Sequence, residues 1–270
     1  MQSPPELPLL WADWNAPAGV GAAMSTRQGG VSQAPFDSLN LRPPGLRGDA
    51  LDEANAVLEN QRRFAQALGA RPVYLNQVHG AAVVRLDGAS GDLPVADASV
   101  TTEPGLACTV LVADCLPVLF CSADGRAVGA AHAGWRGLAG GVLEHTLRAV
   151  CELGACAPQD VHTWLGACIG PTAFEVGGDV LQAFGATPQP GADVPAADGG
   201  VSRFVYRARA DGSAAWRADL AQLARDRLAA AGVQRVAGGH WCTVSDPARF
   251  FSFRRDVRTG RLAAAIWRRG

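Results

Sequence analysis

The chain lacks a surplus of charge and any stretch able to cross a membrane. Lysine plus arginine number 24 against 25 aspartate plus glutamate, a formal net charge of -1. That balance creates no global field to draw nucleic acid or an anionic membrane, so any phosphate contact must be local. No run of about 18 uncharged apolar residues occurs. The opening "MQSPPELPLLWADW" has neither the basic region nor the long apolar core of a secretory leader, and a cytoplasmic location is expected. Seven cysteines (Cys108, Cys115, Cys121, Cys151, Cys156, Cys168, Cys242) are an odd number without a leader, which argues for buried thiols and against a disulfide framework. Also missing are a C-x-x-C pair, an H-E-x-x-H helix and the H-x-E with P-C-x-x-C set of the zinc deaminases. No internal repeat is visible.

What is present is an ordinary globular composition, 270 residues with 48% apolar and 18% charged side chains, enough for a well-filled core. Apolar alternation predicts strands near "PVYLNQV", "AAVVRL", "ACTVLVA", "PVLFCS", "RAVGAAHA", "VHTWLGA", "FFSFRR" and "AAAIW". The clearest helix is "DALDEANAVLENQRRFAQALG", with Asp49 as cap, Leu51, Ala54, Leu58, Ala65 and Leu68 as its apolar stripe and Gly69 as its end. Two more follow "WRGLAGG", to about Cys151, and "DGSAAW", to about Ala231. Strands clustered between helices, with hairpin-like runs from 107 to 131, predict an α+β fold with mixed sheets in a single domain, residues 1–270. Residues 185–200, "GATPQPGADVPAADGG", read as a flexible loop.

Three side chains invite chemistry. His79 ends "LNQVHG", Cys115 lies in "LVADCLPVLF" at the break between two apolar runs, and His132 closes "AVGAAHAGW". Each alone is compatible with a surface or core residue. Together they end apolar runs just before turn residues, so one sheet can bring them to a common edge. Two imidazoles and a thiolate suit zinc, and three protein ligands leave a fourth position for water or substrate. The same set also binds copper.

The blocks "STRQGGVSQAPFDSLNL", "NQVHG", "ADASVTT", "ADCLPVLF", "AAHAGWRGL", "IGPTAFEVGG" and "FFSFRRDVRTGRLAAAIW" follow one another along the chain. In order and spacing they resemble the bacterial polyphenol oxidase or laccase-domain family, also called YfiH-like, from about residue 20 to 267. The resemblance implies that the histidine of "QVHG", the cysteine of "ADC" and the histidine of "HAGW" hold zinc, here His79, Cys115 and His132. It implies a layered α/β/β/α fold and an enzyme of purine nucleosides. Members are described as phosphorolysing adenosine, inosine, guanosine and 5'-methylthioadenosine, and as deaminating adenosine. The family name instead claims copper-dependent phenol oxidation. A multicopper oxidase needs imidazoles for a trinuclear cluster as well as an electron-entry site. His145, His162 and His240 do not cluster with the triad in sequence, which ranks that chemistry low.

Each nucleoside reaction asks for particular groups. Deamination requires an activated water and a carboxylic acid to shuttle its proton, for which Asp114 and Glu175 are candidates. Phosphorolysis requires cationic or N–H donors for phosphate, from among Arg27, Arg62, Arg136, Arg254 and Arg255. Arg27, in "STRQGG", is the first choice, and Arg136 is the second catalytic candidate. Trp135 can stack on a purine or serve the core, and Asn76, Arg27 and Arg254 complete the expected substrate contacts. In "HAGWRGLAGG" a ligand is followed by an aromatic, a cation and the start of a predicted helix among glycines that let a substrate approach. After "SLNL", relatives commonly continue with Gly-x-His. This chain reads "RPPGLRGD", with Arg42 and Arg47 there instead. Two other readings stand beside the nucleoside enzyme: a hydrolase editing cell-wall precursors, and a non-catalytic domain stabilised by zinc. Oligomeric state is not legible.

Overall fold

The structure is a computed structural model that describes residues 7–46, 51–91, 93–194 and 200–270. The chain begins β1 (Leu9–Trp11), β2 (Val20–Ser25), α1 (Ala54–Leu68), β3 (Arg71–Val73), β4 (Val83–Arg85), β5 (Ala98–Thr101) and β6 (Leu106–Val112). It continues β7 (Leu116–Ser122), β8 (Val128–Ala133), α2 (Trp135–Ala139), α3 (Val142–Gly154), β9 (Val161–Leu165), β10 (Glu175–Val176) and α4 (Gly178–Ala183). It ends β11 (Phe204–Tyr206), β12 (Trp216–Ala218), α5 (Leu220–Ala230), β13 (Arg235–Gly238), α6 (Phe253–Asp256) and β14 (Leu262–Arg268). Among the described residues these strands form three sheets: β1-β2-β14-β6-β3, β13-β9-β7-β8-β5-β4 and the small β10-β12-β11.

Side-chain alternation shows how the sheets stack. Along β14, Leu262, Ala264 and Ile266 enter one core while Ala263, Ala265 and Trp267 enter another. In β6, Cys108, Val110 and Val112 face the first core and Ala107 and Leu111 the second. The second core also holds Phe64 and Leu68 of α1, so α1 covers the outer face of the five-stranded sheet. In the first core Leu119 and Cys121 of β7 and Trp164 of β9 meet the inner face of that sheet. Val118 and Phe120 point the other way, onto Leu143, Leu147 and Val150 of α3 and Leu220, Ala224 and Leu228 of α5. The layers therefore run helix, sheet, sheet, helix, in agreement with the α+β, α/β/β/α expectation. Strands covered on both faces must be apolar throughout, which is why β6 and β7 are buried at every residue.

Four expectations are corrected. The runs around 107–131 do not form one hairpin series: β7 pairs with β8, but β6 belongs to the other sheet, and the chain crosses between sheets at 113–115. "FFSFRR" is not a strand, because Ser252 accepts the N–H of Arg255 at 3.2 Å and starts the short helix α6. The helix after "HAGW" begins at Trp135 itself, as α2, before α3. The stripe of α1 is out of phase: Val57, Asn60, Phe64 and Leu68 are buried, whereas Leu51 and Leu58 are 55% and 54% exposed. Gly69 does end this helix with a left-handed φ of 64°. Asp49 lies outside the described residues, as do Arg47 and residues 195–199 of the expected loop.

A polar residue sets the phase of α1. The buried Asn60 amide donates to Ser32 Oγ at 2.9 Å and to the carbonyls of Ser38 and Asn40 at 3.1 and 3.0 Å, and its Oδ1 accepts the N–H of Val31 at 2.8 Å. This one side chain ties the two ends of the 31–40 loop together through the Val31 N–H and the Ser38 and Asn40 carbonyls. Asn60→Leu keeps the number of heavy atoms but orphans those groups, and a loss of about 3 kcal/mol is expected in urea unfolding. A loss under about 0.5 kcal/mol would place the loop's support elsewhere.

Candidate metal centre

The crossing from β6 to β7 is sharp. Asp114 occupies a positive φ of 92°, which a residue with a side chain adopts only when its surroundings compel it. Its Oδ1 accepts from Thr243 Oγ1 and its Oδ2 from the N–H of Arg254, both at 2.6 Å, and its carbonyl accepts from Ile169 at 2.9 Å. The turn so fixed places Cys115 at the mouth of β7, where Leu116 and Pro117 pair with Ala133 and His132 of β8. Cys115 and His132 thus come from adjoining strand ends of one sheet.

His79 does not close a strand, contrary to expectation, because β3 stops at Val73 and only the bridge of Asn76 to Val95 follows. It sits instead in a turn, with φ at 59°. The cause is Asp97, a fully buried carboxylate that sequence reasoning passed over. Asp97 Oδ1 accepts the N–H of His79 at 2.9 Å, and Oδ2 accepts those of Val78 and Gly80 at 3.1 and 2.7 Å. Consecutive N–H groups curled around an anion form a nest. The same Oδ1 lies 2.8 Å from His132 Nδ1, so one carboxylate orients both imidazoles.

The three expected ligands meet. One donor atom from each of His79, Cys115 and His132 lies within 4.8 Å of the others, the only such group of three or more among the described residues. Cys115 Sγ is 3.8 Å from His79 Nε2, close to the roughly 3.6 Å that tetrahedral zinc sets between sulfur and nitrogen. With His132 Nδ1 engaged by Asp97, Nε2 is the nitrogen it can offer to a metal. Burial resists ionisation of Cys115, but His132 and His79 outweigh it and draw the thiol down to about 6. Burial alone pushes Cys108 up to about 12, and Cys168, also fully buried, shifts upward as well. Only Cys115, of these three, carries the thiolate that a metal needs. Gly134 completes the cradle, since a Cβ there would lie 3.0 Å from both Cys115 Sγ and the His79 ring.

A cavity of about 560 Å³ opens beside the ligands, within the range of about 300–1,000 Å³ for small-molecule sites. Its walls bring together Asn76, Asp114, Trp135, Arg136 and Arg254 with the triad. They also include Arg42, Phe253 and Arg261, of which the sequence reading singled out only Arg42, as a departure from the family pattern. Four candidates are not on these walls, Arg27, Arg62, Glu175 and Arg255. Arg62 pairs with Glu59 at 2.7 Å, and Arg255 donates to the carbonyls of Thr243 and Phe250 at 2.7 and 3.0 Å. Arg27 donates to the carbonyls of Asp37 and Pro247 at 2.9 and 3.1 Å and stacks on Phe251, tying loops together. Glu175 is paired with Arg209 and Arg217, each at 2.8 Å. Of the other histidines, His145 bonds the Ala81 carbonyl, His162 neighbours Arg235 and His240 stacks on Trp241. No helix among the described residues is long and apolar enough to cross a membrane.

Known proteins resemble this chain over nearly its whole length. A purine nucleoside phosphorylase of Pseudomonas aeruginosa is 50% identical over 260 residues, 96% of this chain and 97% of that one. The purine nucleoside phosphorylase YfiH of Escherichia coli is 44% identical over 96% of this chain and 98% of its own. Among solved structures, a Neisseria meningitidis protein superposes with a TM-score of 0.83 at 46% identity, covering 97% of this chain and 99% of its own. YlmD of Geobacillus stearothermophilus gives 0.80 at 32% identity, covering 100% and 98%. With residues 21–269 matched, the chain belongs to the family described as multi-copper polyphenol oxidoreductase laccase.

Proposed function

We propose that this protein is a one-zinc purine nucleoside phosphorylase acting on adenosine, inosine, guanosine and S-methyl-5'-thioadenosine, with adenosine deamination as a second activity. The observation that carries the reading is a two-imidazole, one-thiolate set on the wall of a nucleoside-sized cavity. Relatives bearing the phosphorylase name over nearly their full length support it. A single such group is too few for a multicopper cluster. Three ligands are also fewer than the four that close a structural zinc site, so the set favours a catalytic ion. Bound there, zinc supplies Lewis acidity at the cavity wall.

The remaining roles belong to side chains. Leu75, Ile169, Phe174 and Phe253 form an apolar slot for a purine. Asn76 and Arg136 offer donors to its polar edge, and Trp135, with the Arg136 guanidinium 4.3 Å over its ring, forms a stiff wall. In phosphorolysis a phosphate oxygen bonds to C1' of the ribose as the C1'–N9 bond breaks. The electron pair leaves with the purine, which takes up a proton, giving free base and ribose 1-phosphate. In deamination, water adds at C6 and ammonia departs. Each Asp114 oxygen already accepts one hydrogen bond and keeps lone pairs free for such a proton. Arg27 and Glu175 act outside this scheme, as loop ties.

The test is chromatography of adenosine incubated with the metal-loaded protein, with and without phosphate. Adenine with ribose 1-phosphate only when phosphate is present, and some inosine in both conditions, are expected. No product in either condition would overturn the reading and favour the cell-wall hydrolase.

A further inference from the structure

Four arginines, Arg42, Arg136, Arg254 and Arg261, line the cavity against one carboxylate, Asp114. In a chain of net charge -1 this is a local concentration of positive charge. These guanidiniums also meet the protein: Arg261 donates through Nη1 to the carbonyls of Thr259 and Gly260 at 3.2 and 3.1 Å and lies 6.0 Å over the Phe253 ring. Arg136 lies over Trp135, and Arg254 donates to the carbonyls of Ala173 and Glu175 at 3.4 and 3.1 Å.

The backbones of Arg42 and Arg261 share a clamp. The Oδ1 of Asn40 accepts the backbone N–H of Arg42 at 3.2 Å and of Arg261 at 2.9 Å, while the N–H of Leu41 reaches the Arg261 carbonyl at 3.1 Å. Asn40 is 1% exposed and is itself fixed by Asp52 at 3.0 Å. Two arginines from distant parts of the chain are thereby brought to the lining of one cavity. Burial and then Arg42 lower the Arg261 guanidinium from its usual range, while Cys115 and Asp114 oppose that shift. Like charges fixed together are relieved by a shared anion with several oxygens.

We propose that Arg42 and Arg261 form an oxyanion subsite that receives a phosphoryl group beside His79, Cys115 and His132. The inference rests on the phosphorylase reading and gives it a place for its second substrate. The same chemistry arises from inorganic phosphate or from the 5'-phosphate of a nucleotide. In phosphorolysis the two guanidiniums hold the oxygens of phosphate that do not attack C1'.

The experiment compares wild type with Arg42→Gln, Arg42→Lys and Arg261→Gln, all metal-loaded and checked for an unchanged melting temperature. Calorimetry measures binding of inorganic phosphate and, separately, of adenosine 5'-monophosphate, and kinetics measure KM for phosphate and for adenosine. Expected are an approximately tenfold to hundredfold weaker phosphate affinity and higher phosphate KM in the Gln variants. Adenosine KM should stay within about twofold, and Arg42→Lys should recover part of the loss. If only the monophosphate loses affinity, the subsite serves the nucleotide 5'-phosphate. Unchanged affinity for both in the variants overturns the proposal. Phosphorolysis with unaltered phosphate KM and unaltered affinity for the monophosphate would sink the subsite and keep the reading. Arginine-dependent phosphate binding without phosphorolysis would keep the subsite and sink the reading.

Discussion

His132→Ala abolishes nucleoside turnover, with a loss of at least about a thousandfold, equivalent to about 4 kcal/mol of transition-state stabilisation. His132 is 3% exposed and has its Nδ1 committed to Asp97, so nothing else in the cavity can supply its Nε2. Metal content should fall with activity. The fold should survive, because Asp97 keeps the three N–H groups of Val78, His79 and Gly80. A stability loss of about 1–3 kcal/mol is expected from the lost imidazole hydrogen bond. Cys115→Ser separates the two effects: it preserves shape, replaces the thiolate by a poor ligand, and should lose metal and activity with a nearly unchanged melting temperature. Activity within tenfold of wild type in both variants, with metal gone, would mean that the chemistry lies elsewhere.

Asp97→Asn has the second largest expected effect although Asp97 touches no substrate. Both of its oxygens face donors, Oδ1 the His79 N–H and His132 Nδ1, Oδ2 the N–H groups of Val78 and Gly80. An amide replaces one oxygen by NH2. Facing Val78 and Gly80, that NH2 opposes two donors and opens the turn that holds His79. Facing His132, it forces Nδ1 to accept, which moves the proton to Nε2 and blocks ligation. Either orientation harms one imidazole. The expectation is a 10–100-fold loss of metal affinity and about 2–4 kcal/mol of stability. Competition with a chelator of known affinity measures the first, and urea unfolding of the metal-free protein measures the second. Wild-type metal affinity in Asp97→Asn would show that the carboxylate does not orient the ligands.

What was legible in the sequence divides along physical lines. The apolar runs "ACTVLVA", "PVLFCS" and "AAAIW" gave β6, β7 and β14 because strands buried on both faces need no polar alternation. Of the candidate ligands, Cys115 and His132 stand out by interrupting such runs, whereas His79 lies in a turn beyond β3 and its place among them came from the family resemblance. Long-range partners were not. Arg261 owes its place to Asn40, 221 residues away, and nothing in "RTGRL" announces it. Asp97 had a local signal, an acid between alanines just before a buried strand, that reasoning about ligands alone overlooked. The phase of α1 was misjudged because its buried face is set by the amide of Asn60 as well as by Val57 and Phe64. "FFSFRR" was misjudged because a hydroxyl cap at Ser252 outweighs aromatic β-propensity.

The central claim is a single metal ion held by His79, Cys115 and His132. Metal analysis joined to X-ray absorption at the metal edge of the purified protein tests it most directly. One zinc per chain is expected, with one sulfur at about 2.3 Å and nitrogen ligands at about 2.0 Å, and no sulfur neighbour in Cys115→Ser. Several copper ions per chain, or a metal shell without sulfur, would contradict it.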